Sequence, residues 1–143
     1  MLLFAEATNG SIISVFPTDS PTVASLPLSN SQIRRPVALD YDPEEDRVYW
    51  TDVTRKTISR SFRNGSSFED IFHRNVETPD GLAVDPVGRN LYWTDTGTNK
   101  LEVSKLDGSY RTALIASDLD EPRDIILNVN EGFVLPISFR LCA

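Results

Sequence analysis

Two carboxylates stand out by their setting. Asp52 and Asp95 each close the same tetrapeptide, Tyr49-Trp50-Thr51-Asp52 and Tyr92-Trp93-Thr94-Asp95. Paired acids can act as general acid and base in hydrolysis, and clustered aromatics can cage a ligand. The surroundings favour neither. The two acids lie in separate stretches with no base near either one in sequence. His73 is the single histidine and Cys142 the single cysteine, so neither a cysteine–histidine metal site nor a disulfide framework is expected. Structural roles fit the motif better. Adjacent strand residues point to opposite faces, so Tyr and Trp can each bury a large apolar surface. The Asp can accept hydrogen bonds from loop N–H groups or pair with a neighbouring repeat. His73 reads as a surface or half-buried strand residue rather than a pH sensor.

The elements that would position these residues follow from the spacing. The tetrapeptides are 43 residues apart, and the same offset links Pro36, Pro79 and Pro122, Asp42-Pro43 and Asp85-Pro86, and Gly65-Ser66 and Gly108-Ser109. Residues 36–78 align on 79–121 without a gap, with 11 identities in 43 positions. That period suits a propeller blade or a helical repeat. The pattern decides between them: short runs rich in β-branched and aromatic residues, bounded by turn residues, with no sustained 3.6-residue stripe. Each repeat reads as four strands. Strand A covers 37–42, 82–85 and 125–128; strand B carries the tetrapeptide; strand C follows; strand D comes after Asn64-Gly65 or Asp107-Gly108. Those dipeptides predict two-residue hairpin turns with both residues at positive φ.

The grid extends to both ends. Subtracting 43 from Tyr49 gives residue 6, so 2–7 fills the strand B slot of an earlier blade. Asn9-Gly10 is its turn, 11–16 and 22–28 are strands C and D, and its own strand A is missing. Forward, 122–128 makes a strand A. The next tetrapeptide would fall at 135–138, where Leu135-Pro136-Ile137-Ser138 stands instead, and register is lost after about Val134. The expected organisation is a partial propeller over 1–132: partial blade 1–35, blades 36–78 and 79–121, and the first strand of another blade in 122–132. Residues 133–143 form a tail matching no blade.

Composition narrows the class. The chain has 143 residues, 40% hydrophobic and 24% charged, with net charge −7, which suits one globular domain rather than a disordered or fibrous chain. A nucleic-acid binder carries a basic face, so nucleic acid is not expected as a partner. Repeats 36–78 and 79–121 carry −3 and −4, a balance that would steer a ligand with a basic patch. The apolar start, residues 1–5, ends at Glu6 and is too short for a secretory leader. No stretch approaches a membrane span.

The two tetrapeptides, the frame Pro79-Asp80-Gly81-Leu82-Ala83-Val84-Asp85-Pro86 and Leu106-Asp107-Gly108-Ser109 resemble the YWTD, or class B, repeats of the low-density lipoprotein receptor family. Residues 90–98 and 119–123 look most like its Wnt co-receptor members. The resemblance covers roughly 1–132. It implies an all-β fold, an incomplete six-bladed YWTD β-propeller of about two full and two partial blades. It also implies a non-catalytic module that binds protein ligands at the extracellular face of the plasma membrane. The family propeller is usually followed by an EGF-like module, which this sequence lacks. The simplest expectation is a fragment or truncated product, with 133–143 from non-homologous sequence and partial rings able to self-associate. The alternatives are a metal-dependent propeller hydrolase, disfavoured because strand A offers mostly Val, Ala, Leu and Ile; an intracellular WD-type scaffold; and a nonfunctional product.

Strand direction places the candidate binding residues. The D–A and B–C connections share one face, and the A–B and C–D turns share the other. The first face carries the irregular loops, where function concentrates, and there the family docks its ligands. Arg35, Arg55, Glu77, Asp80, Asn99, Glu121 and Arg123 are the candidates, with Arg34, Thr54, Lys56, Thr96 and Thr98 around them. Asn9 and Asn64 open Asn-Gly-Ser sequons and are candidate glycosylation sites.

Overall fold

The structure, a computed structural model, describes residues 1–128 and the strand 133–137. Among the described residues, thirteen strands alternate in direction and pair only with sequence neighbours. The first sheet is β1 (Leu2–Glu6), β2 (Ser11–Phe16) and β3 (Thr22–Ser25). Two four-stranded sheets follow: β4 (Pro36–Asp42), β5 (Arg47–Asp52), β6 (Thr57–Phe62) and β7 (Glu69–Phe72), then β8 (Pro79–Asp85), β9 (Asn90–Asp95), β10 (Lys100–Lys105) and β11 (Thr112–Ile115). The last pair is β12 (Asp124–Asn128) with β13 (Phe133–Ile137). All pairings are antiparallel. The sheets stack as blades, with the innermost strands β1, β4, β8 and β12 in sequence around one side.

The tetrapeptides hold the stack together. Trp50, fully buried on β5, packs with Ile12, Leu26, Ile33 and Val48, toward the first sheet. Tyr49, one residue earlier and also fully buried, points the other way and packs with Leu82, Val84, Leu91 and Trp93 of the third sheet. Tyr92 repeats the move one blade on, half-buried beside Ala83, Leu101 and Ile125. Alternation along one strand thus makes Trp face the preceding blade and Tyr the following one. Thr51 and Thr94 are buried between them, and the Thr51 hydroxyl oxygen accepts the Ala38 N–H at 3.0 Å.

Three details depart from the expected grid. The first blade is shifted by three residues. Its strands lie where expected, near 2–7, 11–16 and 22–28, but Glu6 ends strand B and β2 begins 46 rather than 43 residues before β6. The difference is absorbed by a longer connection over 26–35, which folds into a turn in which Gln32 and Ile33 donate to the Ser29 carbonyl. The C–D hairpins are not two-residue turns with paired positive φ. Gly65 and Gly108 are left-handed, with φ of 83° and 89°, whereas Asn64 and Asp107 are not among the positive-φ residues. Gly65 N–H donates to Phe62 C=O and Phe62 N–H to Ser66 C=O, the pattern of a type I turn followed by a glycine bulge. Asn64 uses its side chain there instead, accepting from Ser66 N–H and Ser66 O–H at 2.9 and 2.6 Å. Lastly, residues 133–137 of the tail do form a strand, running antiparallel to β12 with Pro136 opposite Ile125. A proline lacks the N–H of an interior ladder but fits an edge, and β13 is the outer strand of its described sheet. The rest of the tail, with Cys142, lies outside the described residues.

Candidate functional site

Asp52 and Asp95 are fully buried clamps. Asp52 Oδ2 accepts the N–H groups of Arg34 and Arg35 at 2.7 and 3.0 Å, from the D–A connection. Its Oδ1 accepts those of Thr54 and Arg55 at 3.0 and 2.9 Å, from the B–C turn. Asp95 bridges the same two connections with a different split: Oδ2 accepts Glu77 N–H at 2.8 Å, and Oδ1 accepts those of Thr78, Gly97 and Thr98 at 2.9, 2.9 and 3.1 Å. One carboxylate therefore ties the two connections of a blade into a single surface. Charge-assisted hydrogen bonds of this kind are stronger than neutral ones. Glu6 fills the slot in the first blade more loosely, accepting from Thr8 and Asn9 at 3.2 and 2.9 Å. Gly10 ends that turn at φ 65°, and a Cβ there would stand 2.4 Å from the Arg34 carbonyl oxygen, so only glycine fits.

The candidate binding residues fall into two groups. Arg35 and Asn99 are exposed. Lys56 Nζ reaches Glu77 at 2.7 Å across the boundary between blades. Glu121 and Arg123 are exposed and paired at 3.2 Å, and the Asn99 side-chain oxygen accepts Glu121 N–H at 3.3 Å. Asp80 is less open. It accepts from the Thr96 hydroxyl at 2.8 Å and faces Arg123 at 4.0 Å. It also borders a groove along the inner strands, lined by Phe4, Val37, Leu39, Leu82 and Asp124 among others. Arg55 turns inward. Its guanidinium grips Asp70 at both nitrogens, 2.8 and 2.7 Å, and donates to the Gln32 carbonyl at 3.0 Å. No repeat pattern signals this contact, because the acid partner lies on another strand with no counterpart in the next repeat.

The opposite face carries inter-blade ion pairs that sequence reading missed. Arg89, in the A–B turn of the third blade, donates to both oxygens of buried Asp42 at 2.7 Å. Burial alone would raise the Asp42 carboxyl. Arg89 and the amides of Glu44 and Glu45 outweigh it and hold the group below the usual carboxylate range. Asp40 goes the other way: burial pushes it up, although it accepts Val84 N–H at 2.7 Å. The signs of their pH dependence are opposite. Stabilisation from Asp42 is complete above its unfolded pKa, about 4, and is lost as pH falls through its lower folded value. Asp40 costs stability while ionised, and that cost is relieved as pH falls through its raised value. Thermal melts from pH 7 to 3 check both. Asp42→Asn should lower the melting temperature at pH 7 and flatten the acid loss, and Asp40→Asn should match or exceed the parent at pH 7. An Asp42→Asn profile parallel to the parent would contradict the assignment.

No group of three or more His, Cys, Asp or Glu side chains among the described residues is placed to hold a metal ion. No helix there is long and apolar enough to cross a membrane.

Radial four-stranded blades, wedged apart by Tyr-Trp and clamped by Asp, define a β-propeller built of YWTD repeats. The family model for the low-density lipoprotein receptor repeat class B matches residues 46–86 and 89–127, and the chain belongs to that family. Low-density lipoprotein receptor-related protein 5 of Mus musculus and of Homo sapiens are each 46% identical over 99 residues, 68% of this chain. The chain spans 6% of the length of these relatives. A solved nidogen/laminin complex contains a chain that superposes with a TM-score of 0.79 at 26% identity, covering 92% of this chain and 50% of that one. The GH74 enzyme of Niastella koreensis superposes with a TM-score of 0.56 at 15% identity over 90% of this chain and 20% of its own, which shows a shared fold alone.

Proposed function

We propose that the chain is a non-catalytic, extracellular ligand-binding part of a receptor of the low-density-lipoprotein-receptor-related type, and that its loop face takes a protein ligand with a basic patch. The observation that carries this reading is the double clamp. Asp52 and Asp95 fix the D–A and B–C connections into one preorganised surface, and preorganisation lowers the cost of binding. Glu77, Asp80, Asn99, Glu121, Arg123 and Arg35 border it; Arg55 supports it from below. The net charge of −7 favours encounter with a cation. A role in Wnt reception belongs to the same reading and rests on the likeness to the receptor-related proteins.

Panning a random peptide display library on the immobilised chain tests it. Peptides enriched in Lys and Arg should be recovered, and binding should fall at least several-fold in 0.5 M salt, where the screening length is only a few ångströms, and in the double variant Glu77→Gln/Glu121→Gln. Recovery of peptides without a basic bias, or binding indifferent to both changes, would refute the assignment.

A further inference from the structure

Three arginines meet between the second and third blades on the turn face. Tyr49 lies toward the third blade, and the ladder sets Arg60 opposite Tyr49 and Phe62 opposite Arg47, so both arginines share that face. Arg89 crosses to meet them from the A–B turn of the third blade, gripping Asp42. The three border a cleft of about 390 Å³ between the two blades. The repeat does not demand them: Asn90, Val103 and Asp46 stand at the matching positions.

Two of these cations are used inside the fold. Arg89 holds Asp42, and Arg60 pairs with Glu69 and donates to the Leu106 carbonyl at 3.0 Å. Arg47 is different. Its guanidinium lies 4.1 Å from the centroid of the Phe62 ring. Glu45 comes within 3.1 Å of Nε but off the N–H direction, and Nε is buried without an acceptor among the described residues. A planar fork stacked on a ring and short of acceptors suits a carboxylate, which it takes at two nitrogens.

The rim carries a second observation. Val87 and Tyr110 are 83% and 86% exposed. They stand in the A–B and C–D turns of the third blade, which Leu106 N–H ties together by donating to Arg89 C=O at 3.3 Å. Arg89 and Ser109 of the same turns line the cleft. The second blade has Glu44 and Ser67 at the corresponding places. Ser67 and Tyr110 share a left-handed backbone, with φ of 51° and 56°, so the turn dictates that conformation. It disfavours a bulky residue, and the Tyr110 ring is nevertheless left in water. A residue held against its own preference with no burial in return points to a contact outside the chain.

We propose that this turn face is a second docking surface, which takes an acidic protein segment: one carboxylate on Arg47 and a neighbouring apolar side chain on Tyr110 and Val87. Charge sorts the partner. A sulphated polysaccharide would bring its dense charge against Glu44, Glu45, Asp85 and Asp107 of the same turns, whereas a peptide brings one carboxylate at a time. The preference is opposite to that of the loop face and does not rest on it.

A random peptide display library, panned on the full 143-residue chain and in parallel on Arg47→Asn and Tyr110→Ser, provides the test. Each variant copies the matching residue of the other blade. Circular dichroism melts check that both fold, and Tyr110→Ser should melt at or above the parent. Peptides with Asp or Glu beside an aromatic or aliphatic residue should be enriched on the parent. Their affinity should fall at least about five-fold in either variant. Should Arg47→Asn not fold, Tyr110→Ser carries the test alone. No enrichment of such peptides, or equal binding to the parent and the folded variants, overturns the proposal. A heparin oligosaccharide that outbinds every acidic peptide on the parent overturns it too, by making the face a polyanion site.

Discussion

Replacing Trp93 with alanine should lower the free energy of unfolding by about 3–5 kcal/mol, the range for truncating a buried aromatic. Trp93 is fully buried in the cluster that joins the second and third blades. The Phe72 ring lies 4.9 Å from it, and the Arg111 guanidinium covers it at 5.3 Å. Alanine would open a cavity in a contact that neither blade can close alone, because the facing atoms belong to a separate sheet. Trp50→Ala should behave alike, since Trp50 is the same wedge between the first and second blades. Urea unfolding followed by circular dichroism measures the effect without relying on the deleted indole. Were melting unchanged while peptide binding disappeared, the indoles would be ligand contacts and the packing account would fail.

The repeat was legible because the strongest constraint on a blade is local. Tyr and Trp alternate across a strand, Asp ends it, and Pro opens the strand before it, so each recurs at the same place in both repeats. What was illegible is carried by pairs that change together. In the second blade Arg55 donates to the Gln32 carbonyl, held by Asp70. In the third, the carbonyl at the corresponding place, Asn75, is bonded by Arg111, held by Glu102. The job is the same, yet Arg55 aligns with Thr98, Asp70 with Ala113, Arg111 with Phe68 and Glu102 with Ser59. Aligning the repeats shows four mismatches; only the folded chain shows that two arginines converge on one slot. Sequence position alone therefore puts Arg55 among the candidate loop-face residues, whereas its guanidinium is an internal strut. The 43-residue offset breaks at the first blade for a related reason, although its strands lie where the sequence puts them. Glu6 reaches the same turn amides with a longer side chain, and no tetrapeptide marks the extra residues of the connection that follows.

Removing the Asp95 carboxylate should cost at least about 3 kcal/mol, more than the loss of one ordinary hydrogen bond, because it strands several buried donors at once. Asp95→Ala would leave the N–H groups of Glu77, Thr78, Gly97 and Thr98 without their acceptor. Asp95→Asn should be nearly as damaging, since its amide nitrogen would face N–H donors where an oxygen now accepts. Glu6→Gln supplies the contrast: its two bonds are exposed, so water can replace them and the change should stay within about 0.5 kcal/mol. Amide hydrogen exchange separates the clamp from a general packing defect. In Asp95→Ala those four amides should exchange fastest relative to the parent, while the β9–β10 ladder stays protected under conditions where the chain remains folded. Uniform acceleration across the third blade would mean that Asp95 supports the sheet rather than the loops. Selective acceleration, with weakened recovery of basic peptides, would tie the buried carboxylate to the proposed binding surface, because its four acceptor bonds are what hold the two connections together.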